Sequence, residues 1–127
     1  MGDKRMIKKD CYQDMLDDGI IGVEAVVNQI NKIKGKKGIF DDSIIERDLL
    51  RGYANLELSL ASLCILLRKM CENRFIEIDP DLRRDINSVI HSNKFEFFDE
   101  DIIYVYSQKG REDISLSKII QFSKSVL

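Results

Sequence analysis

One long amphipathic segment constrains the fold of this chain more than any other feature. Residues 41–73 read DDSIIERDLLRGYANLELSLASLCILLRKMCEN. Their apolar side chains recur at alternating spacings of four and three residues, which places them on one face of an α-helix. This stripe consists of Leu49, Tyr53, Leu56, Leu60, Leu63, Leu67 and Met70. With Asp41 or Asp42 as the N-cap, the pattern predicts a helix of about thirty residues. Extra apolar residues widen the stripe, so we expect more than one packing partner, as in a bundle.

A second helix is predicted before it, over residues 12–34. Its apolar residues, from Ile20 to Ile33, again recur three and four apart. The glycines and lysines of KGKKG, residues 34–38, end this helix. We interpret KGKKG as a solvated loop, with a phosphate-binding role as the alternative.

Two shorter helices are predicted in the C-terminal half. Asp79 is a suitable N-cap and Pro80 a favoured first residue for a helix over 80–92. Ser115 or Ser117 is a suitable N-cap for a last helix with apolar residues at helical spacing.

The segment between these helices has the composition of strands. Residues 94–106 are rich in aromatic and β-branched side chains around a polar turn at 98–101, which predicts a short β-hairpin; a helix is the alternative. QKGRED, residues 108–113, is predicted as another turn. We therefore expect a mainly α protein, a small bundle of about four helices with a short hairpin near 94–106, in a single domain over 1–127.

Charge and cysteine content narrow the possible functions. The formal net charge of the 127 residues is −2, so no global basic field attracts nucleic acid and any such contact has to be local. The three cysteines form no CxxC pair and there is one histidine, so we expect no metal or other cofactor. Cys64 and Cys71 are typical of reduced core thiols. Without an apolar run of membrane-spanning length, the chain is predicted to be cytoplasmic, with no membrane association.

The single histidine shares a helix face with an arginine. At 100° per residue, with Leu82 at zero, the apolar residues of the helix fall between roughly −20° and 80°. These are Leu82, Ile86, Val89 and Ile90. On the opposite side, between roughly 140° and 240°, lie Arg84, Asn87, Ser88 and His91, which we call the polar ridge. The polar ridge is therefore expected to point away from the core of its own chain.

An imidazole and a guanidinium on one ridge are a usable pair for RNA chemistry. RNA carries its own nucleophile, the 2′-OH, so a metal-independent ribonuclease needs a group that exchanges protons near neutral pH and a cation for the phosphate. Histidine is the first kind of residue and arginine the second. An exposed histidine among polar neighbours is otherwise an ordinary surface residue.

Residues 40–127 resemble a HEPN (higher eukaryotes and prokaryotes nucleotide-binding) domain. In that family a long helix is followed by a helix with an arginine, a polar residue, several variable positions and a histidine. Arg84-Asp85, then Ile86 to Ile90, then His91 match this pattern at the long end of its spacing. The shorter spacing would place Ile86 at the arginine position, before Asn87, and would make the chain a degenerate member without nuclease activity.

The resemblance implies a bundle that forms a homodimer, with the arginine and histidine helices facing each other across a cleft. It also implies a metal-independent endoribonuclease that acts as a toxin or defence component on RNA, with a possible antitoxin or regulatory protein partner. His91 would handle the proton and Arg84 the phosphate. Asn87 or Ser88 would orient the substrate, with Asp85 as a polar support on the flank of the ridge. The alternative is a non-catalytic HEPN-like module that binds a partner protein or nucleic acid.

Overall fold

The computed structural model describes the backbone of residues 2–97 and 101–127 and the side chains of residues 10–96 and 101–127. Within these residues the chain forms four helices and a small sheet, which confirms the predicted mainly α class with a hairpin. The elements are α1 (Gly2–Lys34), α2 (Asp42–Glu72), α3 (Pro80–Ile90), β1 (Lys94–Phe97), β2 (Ile102–Ser107), β3 (Gly110–Ser115) and α4 (Leu116–Ser125).

Helices α1 and α2 form an antiparallel hairpin joined by residues 35–41. The stripe predicted on α2 is buried except for Tyr53, which is half-buried; Leu56, Leu60 and Leu67 are at most 1% exposed. A close approach is possible because residue 52 is glycine; a Cβ there would lie 2.8 Å from Cγ1 of Ile30 on α1. The hairpin is therefore a continuous apolar contact between two long helices. α1 begins well before residue 12, where its apolar pattern starts.

Helix α2 begins as its sequence predicts. Asp41 is the N-cap, and its carboxylate accepts a hydrogen bond from the Ser43 amide at 2.8 Å. Within the described residues, α2 is long and apolar enough to cross a membrane by length and composition alone. Ten of its residues are buried against the rest of the chain.

Helix α3 packs on α2 through the face predicted for it. Leu82, Ile86 and Val89 are buried and Ile90 is half-buried. The Asp79 carboxylate caps the helix by accepting from the Leu82 amide at 3.0 Å, with Pro80 as the first helical residue. The last helical residue is Ile90, slightly before the predicted end at 92.

The three strands form one antiparallel sheet in the order β1-β2-β3. Its first two strands are the predicted hairpin, of which turn residues 98–100 lie outside the described part of the chain. The third strand, β3, lies where a turn was predicted, so the QKGRED prediction was correct only for its first residues. The reason is that Ile114 is the one fully buried side chain of β3, which leaves no apolar alternation in the sequence to indicate a strand.

Asp101 joins the sheet to the last helix. Its carboxylate accepts hydrogen bonds from Ser115 Oγ at 2.8 Å and from the Ser117 amide at 2.7 Å. Ser115 is the N-cap of α4 and accepts from the Lys118 amide at 3.4 Å. The predicted choice between Ser115 and Ser117 is thus resolved in favour of Ser115. α4 packs against α1 and α3 and completes the core.

Candidate functional site

A cleft of about 730 Å³ lies between α3 and the turn that joins β2 to β3. One wall is the outward face of α3, and the other is formed by the ends of β2 and β3. All of its lining residues except Pro80 have polar or charged side chains: Pro80, Arg83, Arg84, Asn87, Ser88, His91, Asn93, Ser107, Gln108, Lys109 and Glu112.

All four residues of the polar ridge line this cleft. The helical spacing that buries Ile86 and Val89 turns Arg84, Ser88 and His91 outward, as the sequence predicted. Asp85, the fifth predicted site residue, does not line the cleft and lies on the inner flank of α3. The fold therefore brings four of the five predicted side chains together.

Arg84 is held only loosely. Its side chain is 69% exposed, and Nη2 lies 3.4 Å from Oδ1 of Asp81 one turn earlier. An exposed pair of this kind contributes at most about 1 kcal/mol, so the guanidinium is available to exchange Asp81 for another anion.

His91 ends the helix on the same face. It is the C-cap of α3, and its amide donates to the Asn87 carbonyl at 3.0 Å. It lies seven positions after Arg84, which corresponds to roughly 10 Å along the helix axis. The histidine and the arginine of one chain thus lie at opposite ends of the ridge.

Ser88 connects the two walls of the cleft. Its hydroxyl is hydrogen-bonded to the Glu112 carboxylate on β3 and also lies 3.0 Å from the Arg84 carbonyl. A hydroxyl has one proton, so it donates to one of these acceptors at a time. Glu112 was not predicted as a site residue, because it lies on the strand that the sequence did not reveal. It brings a negative charge into a cleft that otherwise carries cations.

Those cations come from both walls. Arg83 and Arg84 lie on α3, and Lys109 lies in the turn between β2 and β3. Part of the Arg83 guanidinium is already bound, with Nη2 3.4 Å from the Ile78 carbonyl. Lys94 is directed elsewhere: its Nζ lies 3.2 Å from Glu96. The cleft is thus a local basic region in a slightly acidic chain.

Asp85 has a different environment from the ridge. Burial raises its pKa above the ordinary aspartate value, Arg84 opposes this rise and Glu112 adds to it. Burial, together with the charge of Asp85, raises the pKa of Cys64 on α2 to about 12. A thiol with so high a pKa stays protonated at neutral pH, in agreement with the predicted core role of Cys64.

Among the described side chains, those of residues 10–96 and 101–127, no three from His, Cys, Asp or Glu are grouped closely enough to hold a metal ion. Comparisons of the chain with protein-family models, with curated proteins and with solved structures found no match. The HEPN resemblance therefore remains a prediction from the residues themselves.

Proposed function

We propose that this protein is a metal-independent endoribonuclease of HEPN type, active as a homodimer and serving as a toxin or defence component. The observation that carries the proposal is the convergence of Arg84, Asn87, Ser88 and His91 on one open cleft, away from the core. Arg84 and His91 are exposed and take no part in core packing, so they are free to contact a ligand, and a guanidinium and an imidazole suit a phosphodiester.

The reaction would proceed by attack of the RNA 2′-oxygen on the adjacent phosphorus. The bond from phosphorus to the 2′-oxygen forms and the bond to the 5′-oxygen breaks, which leaves a 2′,3′-cyclic phosphate and a 5′-OH. One group has to take the proton of the 2′-OH, and another has to give a proton to the departing 5′-oxygen. Since the chain has one histidine, a dimer with two copies of His91 provides both groups.

Arg84 would stabilise the charge that develops on the phosphate oxygens. Its distance of roughly 10 Å along the helix from His91 of the same chain favours a composite arrangement, in which one protomer's arginine works beside its partner's histidine. Asn87 and Ser88, between the two, would orient the sugar or the imidazole. Lys109 and Arg83 would attract the RNA backbone.

A second candidate is a non-catalytic HEPN-like module that binds a partner protein or nucleic acid. The hydrogen bond between Ser88 and Glu112 favours it, because the bond occupies a ridge hydroxyl and holds in the cleft a carboxylate that would repel a phosphate. Under the shorter family spacing, Ile86 would replace the catalytic arginine, and its buried side chain has no access to the cleft.

Incubation of the purified protein with mixed RNA in EDTA distinguishes the endoribonuclease from the binding module. Wild type should cleave RNA to cyclic-phosphate ends, while His91→Ala and Arg84→Ala should lose at least about 100-fold in rate. Arg74→Ala, which changes an exposed arginine outside the cleft, is the matched control and should cleave like wild type. Activity that survives His91→Ala contradicts the proposed chemistry, and an inactive wild type favours the binding module. Light scattering that finds only monomer at micromolar concentration would contradict the composite site.

A further inference from the structure

The connection between α1 and α2 forms a second exposed feature, far from the cleft. We call residues 32–44 the hairpin tip; they comprise the end of α1, the connection and the first turn of α2. The cleft helix α3 contacts the opposite end of α2, where Arg83 Nη2 lies 3.7 Å from Cys71 Sγ. Cys71 lies roughly 40 Å along the helix axis from the start of α2.

The hairpin tip has a defined backbone. The amides of Ile39 and Phe40 both donate to the Lys36 carbonyl, at 3.1 and 3.3 Å. Gly38 adopts a φ of +83°, a left-handed conformation that glycine takes without strain. The side chains that follow are therefore presented by a hydrogen-bonded turn.

This turn exposes large apolar side chains to solvent. Ile39 is 77% exposed and Phe40 is 53% exposed, and Ile44 on the first turn of α2 is also exposed. Ile33 and Ile45, which belong to the same segment or follow it directly, are buried in the hairpin contact. The exposure of Ile39, Phe40 and Ile44 is therefore not shared by every apolar residue of this region. Neighbouring exposed apolar side chains indicate an interaction surface.

The hairpin tip also carries exposed lysines. Lys32, Lys36 and Lys37 are exposed, and Lys36 Nζ lies 5.7 Å from the centroid of the Phe40 ring. Two carboxylates follow in the sequence. That of Asp41 is hydrogen-bonded to the amide and hydroxyl of Ser43 at the start of α2. With Asp42 as the second carboxylate, lysines still outnumber acids in the tip, in a chain whose net charge is −2.

We propose that the hairpin tip binds the surface of an anionic phospholipid bilayer. Ile39 and Phe40 would enter the boundary between headgroups and acyl chains, and the lysines would contact the lipid charges. The hairpin tip presents an exposed apolar pair next to exposed lysines, and a bilayer accommodates such a pair without a complementary groove. The proposal revises the sequence-based expectation of no membrane association, because the sequence pattern does not reveal that Ile39 and Phe40 are exposed. It is independent of the chemistry in the cleft.

Fluorescence tests the insertion directly, because the chain contains no tryptophan. Phe40→Trp should shift its emission to shorter wavelength on vesicles of phosphatidylcholine with phosphatidylserine, and not on phosphatidylcholine alone. Leu58→Trp is the matched control, since Leu58 is 70% exposed on α2 but lies outside the tip. A shift with Leu58→Trp equal to that with Phe40→Trp, or no shift with either, would overturn the proposal.

Vesicle sedimentation tests the charge contribution. A lysine near an anionic surface contributes about fivefold to partitioning, so Lys37→Glu, a change of two charge units, should weaken binding about 25-fold. Lys69→Glu, at an exposed lysine near the other end of α2, should have little effect, and His91→Ala should bind vesicles like wild type. Equal losses from Lys37→Glu and Lys69→Glu would contradict the proposal. If the wild-type protein does not bind vesicles but binds a short RNA, and Lys37→Glu weakens that RNA binding, the hairpin tip contacts nucleic acid instead of lipid.

Discussion

The α1–α2 hairpin and the region that forms the cleft are held together in different ways. The hairpin is a long apolar contact in which many aliphatic side chains each contribute a small part of the stability. The short elements of the cleft region share the same apolar core through residues such as Leu82, Ile86 and Ile114, and polar contacts also join them. These contacts run from Asp79 to α3, from Ser88 to Glu112, and from Asp101 to α4. The geometry of the cleft thus depends on apolar burial together with a few hydrogen bonds that single substitutions can remove.

The largest expected effect is in the hairpin. Leu60→Ala removes a side chain with no exposed surface and should lower the free energy of unfolding by about 2–5 kcal/mol, since it leaves a cavity between the helices. Leu58→Ala, two residues away and 70% exposed, should change it by less than about 0.5 kcal/mol. Urea unfolding followed by circular dichroism measures both. Similar losses in the two variants would mean that α2 does not pack as described.

A smaller loss of stability is expected from a substitution at Asp101, where the sheet meets α4. Burial raises the pKa of Asp101, but the hydrogen bonds from Ser117 and Ser115 outweigh it, so the pKa lies below its usual value of 3.8. Asp101→Ala should therefore cost about 1 kcal/mol of stability at neutral pH, as for a lost helix cap.

The pH dependence of that loss sharpens the prediction. A carboxylate with a lowered folded-state pKa stabilises the fold fully above its unfolded value and loses this contribution as pH falls through the folded value. The stability difference between wild type and Asp101→Ala should be constant from pH 7 to about pH 5 and shrink below about pH 4. Asp113→Ala, which removes an exposed carboxylate of β3, is the control. A difference that does not change with pH would show that the charge of Asp101 is unimportant.

The smallest effect on stability, and the most informative for function, is expected at Glu112. Glu112→Gln retains an acceptor for Ser88 but removes a negative charge from the cleft, so affinity for a short RNA should rise a few-fold, on the order of 0.5–1 kcal/mol. Asp113→Asn makes the same charge change at the next residue of β3. Fluorescence anisotropy measures both, and a loss of RNA affinity in Glu112→Gln would instead indicate that the carboxylate itself contacts the ligand.

The sequence predicts the helices best where cap residues and apolar spacing agree. The start of α2 at Asp41 and that of α3 at Asp79-Pro80 follow from cap chemistry, and the faces of both helices follow from apolar spacing. The polar ridge was predicted for the same reason, since the residues opposite a buried face have to point outward.

What the sequence could not predict depends on tertiary contacts. β3 carries charged residues and one buried isoleucine, so its strand conformation depends on pairing with β2 rather than on its own pattern. Without β3, nothing in the sequence brings Glu112 to Ser88.

The turn that joins β2 to β3 has a consequence for how this protein can evolve. Ser107 pairs with Gly110, so only Gln108 and Lys109 lie between the strands, and both line the cleft. Insertions in a surface loop of this kind have a small entropic cost and disturb no buried contact. Evolution could therefore change the length or the charge of this turn, and so change which ligands enter the cleft. The helical scaffold and the polar ridge would stay the same.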